Sequence, residues 1–285
     1  MTKEERVVLP TIQLISDSVG WTGQMIARAA ASQFGDFEPT FDILTDVRDI
    51  REVETFLGAQ SSHYKQTYGR KKLIVFYSLV NPDLCAQMKA YLAEHPKFFG
   101  VDLMSDAIAA IAEVSGLKPD AQAGRLHTIN ESYFRRVEAL DFTIAHDDGA
   151  KPKDLTKADI VIIGVPLTGK TPVSIFLSQQ GLRVANVGID AGKKLPDQLH
   201  NVQPTRMFGL LTTPEILLSA RKRVSNSVFK GKKEHLQLEK VTEELENARK
   251  LMRQLSCVMI HTENRTAEET AQEILGYYML THPHA

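Results

Sequence analysis

Hydrophobic residues arrive along this chain in short bursts, not in long spans. Such runs fall at 11–15 (TIQLI), 40–44 (TFDIL), 71–80 (KKLIVFYSLV), 160–163, 182–189, 207–211 and 257–261 (CVMIH), with VDLM following Gly100. Most are bounded by Gly, Pro, Ser, Asp or Asn, which is how buried strands read. Between them lie stretches whose apolar residues recur every three or four positions. These predict helices over roughly 24–33, 51–66, 82–92, 105–114, 214–223 and 236–255, with others around Tyr133, Val137 and Leu140, after Thr171 and after Thr266. Strands that alternate with helices across short polar connections predict an α/β fold of mainly parallel sheet covered on both faces.

Several boundaries carry their own chemistry. Asn81-Pro82 stops a strand and opens a helix. Thr266 followed three residues later by Glu269 is a capping box for the last helix. The polar stretch Ser225–Glu234 is expected to be a mobile loop, and Arg221–Arg223 reads as basic charge at a helix C-terminus. GLKPDAQAGRLH, from residue 116, is loop-like. The expected division is an N-terminal α/β domain at 1–114, a connecting region at 115–150 and a P-loop nucleotide-binding domain at 151–285. No internal repeat is evident in the residues.

The central chemical signal is GVPLTGKT, Gly164 to Thr171, which fits G-x-x-x-x-G-K-[ST] and sits between a predicted strand and a predicted helix. Gly164 and Gly169 allow backbone conformations that a Cβ would forbid, so the N–H groups of Val165, Leu167 and Thr168 can wrap an anion at the positive end of a helix, with Pro166 in the loop contributing none. Lys170 supplies a cation for phosphate, and the Thr171 hydroxyl suits Mg²⁺. Asp190, at the end of the next apolar run, is the acid expected to share that ion. Pro172 fits the first helical turn. The plain alternative is a glycine-containing turn with an exposed lysine.

Other candidates have weaker patterns. Ser16, Asp17, Ser18 and Thr22 follow the first strand and could take an anion or metal, although capping of the following helix explains the same residues. His146-Asp147-Asp148-Gly149 is either a turn or a carboxylate pair delivered to the nucleotide site. Arg135 could point toward phosphate, against the commoner reading of a solvated charge.

Composition narrows the classes. Of 285 residues, 43% are hydrophobic and 24% charged, enough for a substantial core; 34 Lys and Arg nearly balance 35 Asp and Glu. That balance offers no electrostatic argument for nucleic acid or an anionic membrane. Cys85 and Cys257 have no metal-site or redox spacing, and neither a signal-peptide core nor a membrane-length apolar run is present. A cytoplasmic protein is expected, with a homodimer as the assembly to test.

With these segments in view, the chain resembles the regulatory proteins of pyruvate, phosphate dikinase and phosphoenolpyruvate synthase. The resemblance rests on ISDSVGWTGQMI, VFYSLV, YFRRVEALDF with AHDDG, GVPLTGKTPVSIFLSQQGLRVANV, FGLLTTPEIL and TENRTAEETAQEIL, in that order and over nearly the full length. It implies a bifunctional enzyme. Such proteins use ADP to phosphorylate a threonine beside the dikinase's catalytic histidine, and remove that phosphate with inorganic phosphate, releasing pyrophosphate. It implies that Gly164–Thr171 is the nucleotide loop, with ADP as its ligand. From the chemistry of phosphoryl transfer Lys170 is then expected on the β-phosphate, Asp147 or Asp148 as base, and Mg²⁺ on Thr171 and an acid, Asp190 being the position expected from the loop alone. The match around YFRRVEALDF leans toward the dikinase over the synthase as target. One departure matters: the family loop usually reads G-V-S-R-T-x-K-T-P, and here Pro166 and Leu167 replace Ser and Arg. Trp21 similarly stands where the family tends to have glutamate. The alternative is therefore a catalytically weakened nucleotide-binding regulator.

Overall fold

A computed structural model describes residues 9–35, 38–68, 72–125, 131–190, 194–228 and 236–283. The chain divides into two compact units, residues 1–128 and 129–285. Residues 115–150, the expected connecting region, are thus shared between the two.

The first unit runs β1 (Ile12–Ser16), α1 (Trp21–Ala31), β2 (Phe41–Leu44), α2 (Ile50–Tyr68), β3 (Leu73–Ser78), α3 (Pro82–Glu94), β4 (Phe98–Asp102) and α4 (Ser105–Ser115). Its four strands pair in parallel in the order β2-β1-β3-β4. Ile15, Val75 and Tyr77 pack on Val53, Leu57, Leu84 and Met88 of α2 and α3. Residues 103 and 104, expected in the fourth strand, lie beyond its end, and that strand begins earlier, at Phe98.

α1 begins at Trp21, three residues before the expected start, with Gly20 as its N-cap in the left-handed region (φ 76°). Gly23 therefore lies inside the helix. Its glycine is a packing choice, because a Cβ there would come within 2.6 Å of the Leu14 side chain on the strand beneath. The close approach of α1 to β1, not a turn, explains that residue.

The second unit runs α5 (Glu131–Ala145), β5 (Ile160–Gly164), α6 (Lys170–Ser178), β6 (Val184–Gly188), β7 (Met207–Leu211), α7 (Pro214–Val228), α8 (Leu238–Gln254), β8 (Val258–His261) and α9 (Ala267–Thr281). Its sheet is again parallel, ordered β6-β5-β7-β8. Both units thus share one strand order, which no residue-level repeat announced; hydrophobic pattern, not residue identity, carries the topology.

β5 is buried along its whole length, as a central parallel strand should be. Val161 and Ile163 face Leu217, Val241, Leu245 and Met252 of α7 and α8. Ile160 and Ile162 face Val173, Leu177, Ala271 and Ile274 of α6 and α9. α9 opens on the expected capping box, with Thr266 and Glu269 hydrogen-bonded reciprocally.

α7 departs from expectation at its end. It continues to Val228, so residues 225–228 are helical where a loop was expected, and 229–234 lie outside the described residues. Arg221 is accordingly not a helix-end charge. Its guanidinium is fully buried and makes two 2.9 Å hydrogen bonds to the Glu244 carboxylate, tying α7 to α8. A buried guanidinium is tolerable only with such a partner.

Candidate functional site

The order β6-β5-β7-β8 places its switch point at β5, where successive crossovers leave in opposite directions. The loop Gly164–Thr171 emerges there. Gly164 ends β5 with no room for a side chain: a Cβ would lie 2.8 Å from Thr168 Oγ1 and 3.2 Å from the Leu210 carbonyl. Thr168 Oγ1 donates to the Val165 carbonyl at 2.9 Å, closing the loop on itself. Gly169 is the left-handed N-cap of α6 (φ 88°). Leu167 is left-handed too, at φ 70°, a conformation that costs a branched residue energy and is found mainly at functional loops. Pro166 lies within this closed turn without breaking it.

Lys170 is buried, and its ammonium donates to the Val165 carbonyl at 3.3 Å. Burial lowers its proton affinity, while the carboxylates of Asp148, Asp190 and Asp147 raise it in part. Three acids thus converge electrostatically on one lysine.

Two of them come from the turn after α5. Asp147–Gly149 forms a short 3-10 turn in which Asp148 is left-handed (φ 49°). Asp147 Oδ1 accepts from the Thr171 hydroxyl at 2.8 Å, and Asp148 Oδ1 stands 3.9 Å from Lys170 Nζ. Asp148 is two-thirds exposed (68%), whereas the lysine beside it is 7% exposed. The structure therefore brings together Gly164–Thr171, Asp147, Asp148 and Asp190. Of the acids, Asp147 and not Asp190 is the one hydrogen-bonded to Thr171.

The strand beneath carries what the sequence reading missed. Asn186, fully buried, donates from Nδ2 to Asp147 Oδ1 at 2.6 Å and accepts the Asp148 N–H on Oδ1 at 2.9 Å. Gly188 gives the turn space, since a Cβ there would sit 2.7 Å from Asp148 Oδ1. Asn186 and Gly188 are alternate residues of β6 and so share one face of the strand, and Asp190 follows two residues beyond its end. A polar residue inside the apolar run LRVANVGI was the available signal.

His146 holds the turn from the other side. Its Nδ1 lies 2.7 Å from the Phe142 carbonyl, an atom that can only accept, so Nδ1 carries the proton. The ring stacks on Phe142 at 3.8 Å.

The remaining candidates lie elsewhere. Arg135 packs beside Gly181, just past the C-terminal end of α6, whereas the Gly164–Thr171 loop is at that helix's N-terminus. Ser16, Asp17, Ser18 and Thr22 belong to the first unit and line a cleft of about 210 Å³ at the carboxyl end of β1. There the Asp17 carboxylate accepts the Val80 N–H at 2.7 Å, and Ser78 Oγ donates to Ser16 Oγ at 3.0 Å. Both residues tie the loop to the end of β3. Thr22 lies within α1 and makes no side-chain cap.

A parallel α/β unit with a closed glycine–lysine loop at its switch point and carboxylates beside the lysine has the architecture of a phosphoryl-transfer protein. The profile of the kinase/pyrophosphorylase family matches residues 12–275, and the chain belongs to that family. It is 33% identical over 271 residues to a Syntrophomonas wolfei protein provisionally named pyruvate, phosphate dikinase regulatory protein 2, covering 95% of this chain and 96% of the relative. Proteins provisionally named pyruvate, phosphate dikinase regulatory protein from Levilactobacillus brevis (35% over 277 residues, 95% and 97% covered) and Geobacter sulfurreducens (36% over 266 residues, 93% and 96% covered) are similar to the same extent.

Among the described residues no helix is long and apolar enough to cross a membrane, and no group of three or more His, Cys, Asp or Glu could hold a metal ion. A Mg²⁺ that accompanies a nucleotide needs fewer protein ligands, because it keeps several waters and uses phosphate oxygens. The Thr171 hydroxyl beside the Asp147 carboxylate is an all-oxygen pair of the kind it takes.

Proposed function

We propose that this protein regulates pyruvate, phosphate dikinase in both directions. It transfers the β-phosphoryl group of ADP to a threonine beside the dikinase's catalytic histidine, which inactivates that enzyme. It removes the group by phosphorolysis, with inorganic phosphate as acceptor. The observation that carries this reading is the Asp147–Asp148 turn held against Lys170 and Thr171 of the phosphate loop. The names of its relatives support the dikinase as partner.

In the forward direction the loop N–H groups and Lys170 receive the β-phosphate. Asp148, the more exposed acid, takes the proton from the threonine hydroxyl as its oxygen attacks phosphorus and AMP leaves with the bridging oxygen's electron pair. In the return direction a phosphate oxygen attacks the phosphothreonine phosphorus, pyrophosphate forms, and Asp148 returns the proton to the threonine oxygen. Thr171 and Asp147 would hold Mg²⁺, which supplies charge neutralisation to the phosphates when bound. Asp147 takes the role expected of Asp190 because it is the acid bonded to Thr171. Asp190 remains within the electrostatic field of Lys170.

The test is mass spectrometry of histidine-phosphorylated dikinase after incubation with this protein, Mg²⁺ and ADP. Phosphate on the neighbouring threonine, lost again with pyrophosphate release when inorganic phosphate is added, is the expected result. ADP binding without phosphothreonine would instead favour a nucleotide-binding regulator and point to Pro166 and Leu167. Transfer to phosphoenolpyruvate synthase and not to the dikinase would move the target to the other branch. Lys170→Ala should lower the transfer rate at least about a thousandfold; near-normal rates would remove Lys170 from the site.

A further inference from the structure

We propose that Asn186 is a positioning residue for phosphoryl transfer, a single buried amide that sets both acids of the site at once. The inference rests on the roles given above to Asp147 and Asp148. Asn186 Oδ1 accepts the Asp148 N–H at 2.9 Å, while Nδ2 donates to Asp147 Oδ1 at 2.6 Å and lies 3.4 Å from Ser174 Oγ. Ser174 in turn donates to the Lys170 carbonyl at 2.9 Å. The Asn186 backbone N–H donates to the His146 carbonyl at 3.2 Å. One residue therefore touches the start of the acidic turn, both of its carboxylate residues and the helix that bears Lys170.

The position is costly unless the amide is used. Asn186 is fully buried in β6 between Ala185 and Val187, both core residues, and a buried amide without partners would cost several hydrogen bonds' worth of stability. Its bonds are instead all directed at the site. The orientation of the amide is fixed by chemistry, since an N–H group can be met only by Oδ1 and a carboxylate only by Nδ2.

No close substitute does the same. Aspartate would set a second carboxylate against Asp147. Glutamine would need room for another methylene where none is exposed. An apolar residue would leave the Asp148 N–H unmet, and that residue holds a left-handed conformation (φ 49°) that needs support. With Asp147 turned toward Thr171 by Nδ2, the Asp148 side chain is left to face Lys170. The amide thus separates the two acids into two tasks.

Asn186→Ala and Asn186→Ser, each against wild type, test this with histidine-phosphorylated dikinase as acceptor. ADP affinity by calorimetry, single-turnover transfer rate and thermal melting are measured on each. ADP affinity measured without Mg²⁺ should stay within about threefold, because the loop and Lys170 supply the nucleotide contacts, while the Asn186→Ala transfer rate should fall about 30- to 100-fold. Asn186→Ser, which keeps a donor, should recover part of the loss. A folded Asn186→Ala with a rate within about threefold of wild type overturns the proposal. So does a rate loss matched by an equal loss of ADP binding, which would make the amide a support of the fold alone. Should Asn186→Ala not fold, Asn186→Ser is read by the same criteria. Failure of the functional reading itself shows in the wild-type reaction as an absence of phosphothreonine, and it withdraws the role of Asn186 with it.

Discussion

Gly188 offers the sharpest probe of a single side chain here, because what it lacks is what Asp148 needs. A Cβ at this position would meet Asp148 Oδ1 at 2.7 Å, and that oxygen is the far end of an exposed, flexible carboxylate. Gly188→Ala should therefore move the carboxylate without breaking the sheet. Melting temperature should barely change, while phosphoryl transfer should fall about tenfold or more, since misplacing a reacting group by an ångström is enough for such losses. A variant with normal rates would take Asp148 out of the chemistry and return the base to Asp147. The contrast with Gly164 is instructive. There a Cβ would press on the Leu210 carbonyl, a backbone atom that cannot give way, so a change at Gly164 tests the loop's integrity and not any one acid.

At the scale of elements, the junction from β4 to α4 depends on a carboxylate in the same way the acidic turn depends on an amide. Asp102 Oδ1 accepts the backbone N–H groups of Met104 and Ser105 at 3.1 and 3.0 Å, and Oδ2 lies 2.9 Å from Lys89 Nζ. Burial pushes the Asp102 carboxyl upward, but hydrogen bonds from Ser105, Lys89 and Met104 outweigh it and leave it below its usual 3.8. The native form thus prefers the ionised state, so its stabilisation is full above about pH 4 and disappears as pH falls through the lowered native value. Asp102→Asn should cost about 1 kcal/mol at pH 7 by denaturant titration. The gap between variant and wild type should close as the pH is lowered; a gap that stays constant into acid would show that shape, not charge, is what matters.

These two junctions also show which elements could be read in advance. The strand–loop–helix turn at Gly164–Thr171 was legible because glycine, lysine and threonine at fixed spacing have a local chemical meaning. The α9 capping box was legible for the same reason. Asn186 was not, because its partners, Asp147 and Asp148, lie nearly forty residues away, and only a strand of known register shows that positions 186 and 188 share a face. Trp21–Gly23 failed differently: a glycine that serves helix–strand contact looks, in sequence, like a glycine that makes a turn. Arg221 failed because a buried guanidinium depends on Glu244, on another helix.

For the molecule as a whole, the second unit carries everything the proposed chemistry needs. Residues 129–285 hold a complete four-stranded sheet, apolar clusters on both of its faces, the Gly164–Thr171 loop, both acids of the turn, Asn186 and Asp190. The first unit has its own sheet and its own core, with Ile15, Val75 and Met88 at its centre. A unit with its own core can in principle fold alone. The fragment 129–285 should therefore be cooperatively folded by circular dichroism and should bind ADP within about tenfold of the full chain, because no nucleotide contact proposed here comes from residues 1–128. Transfer to the dikinase is the part expected to suffer if residues 1–128 help to hold the protein substrate, because binding energy from remote contacts is what places the reacting group. ADP binding with weakened transfer would divide the labour between the units in that way. A fragment that melts without cooperativity would mean that the two cores stand only together, and the nucleotide site would then have to be treated as a property of the entire chain.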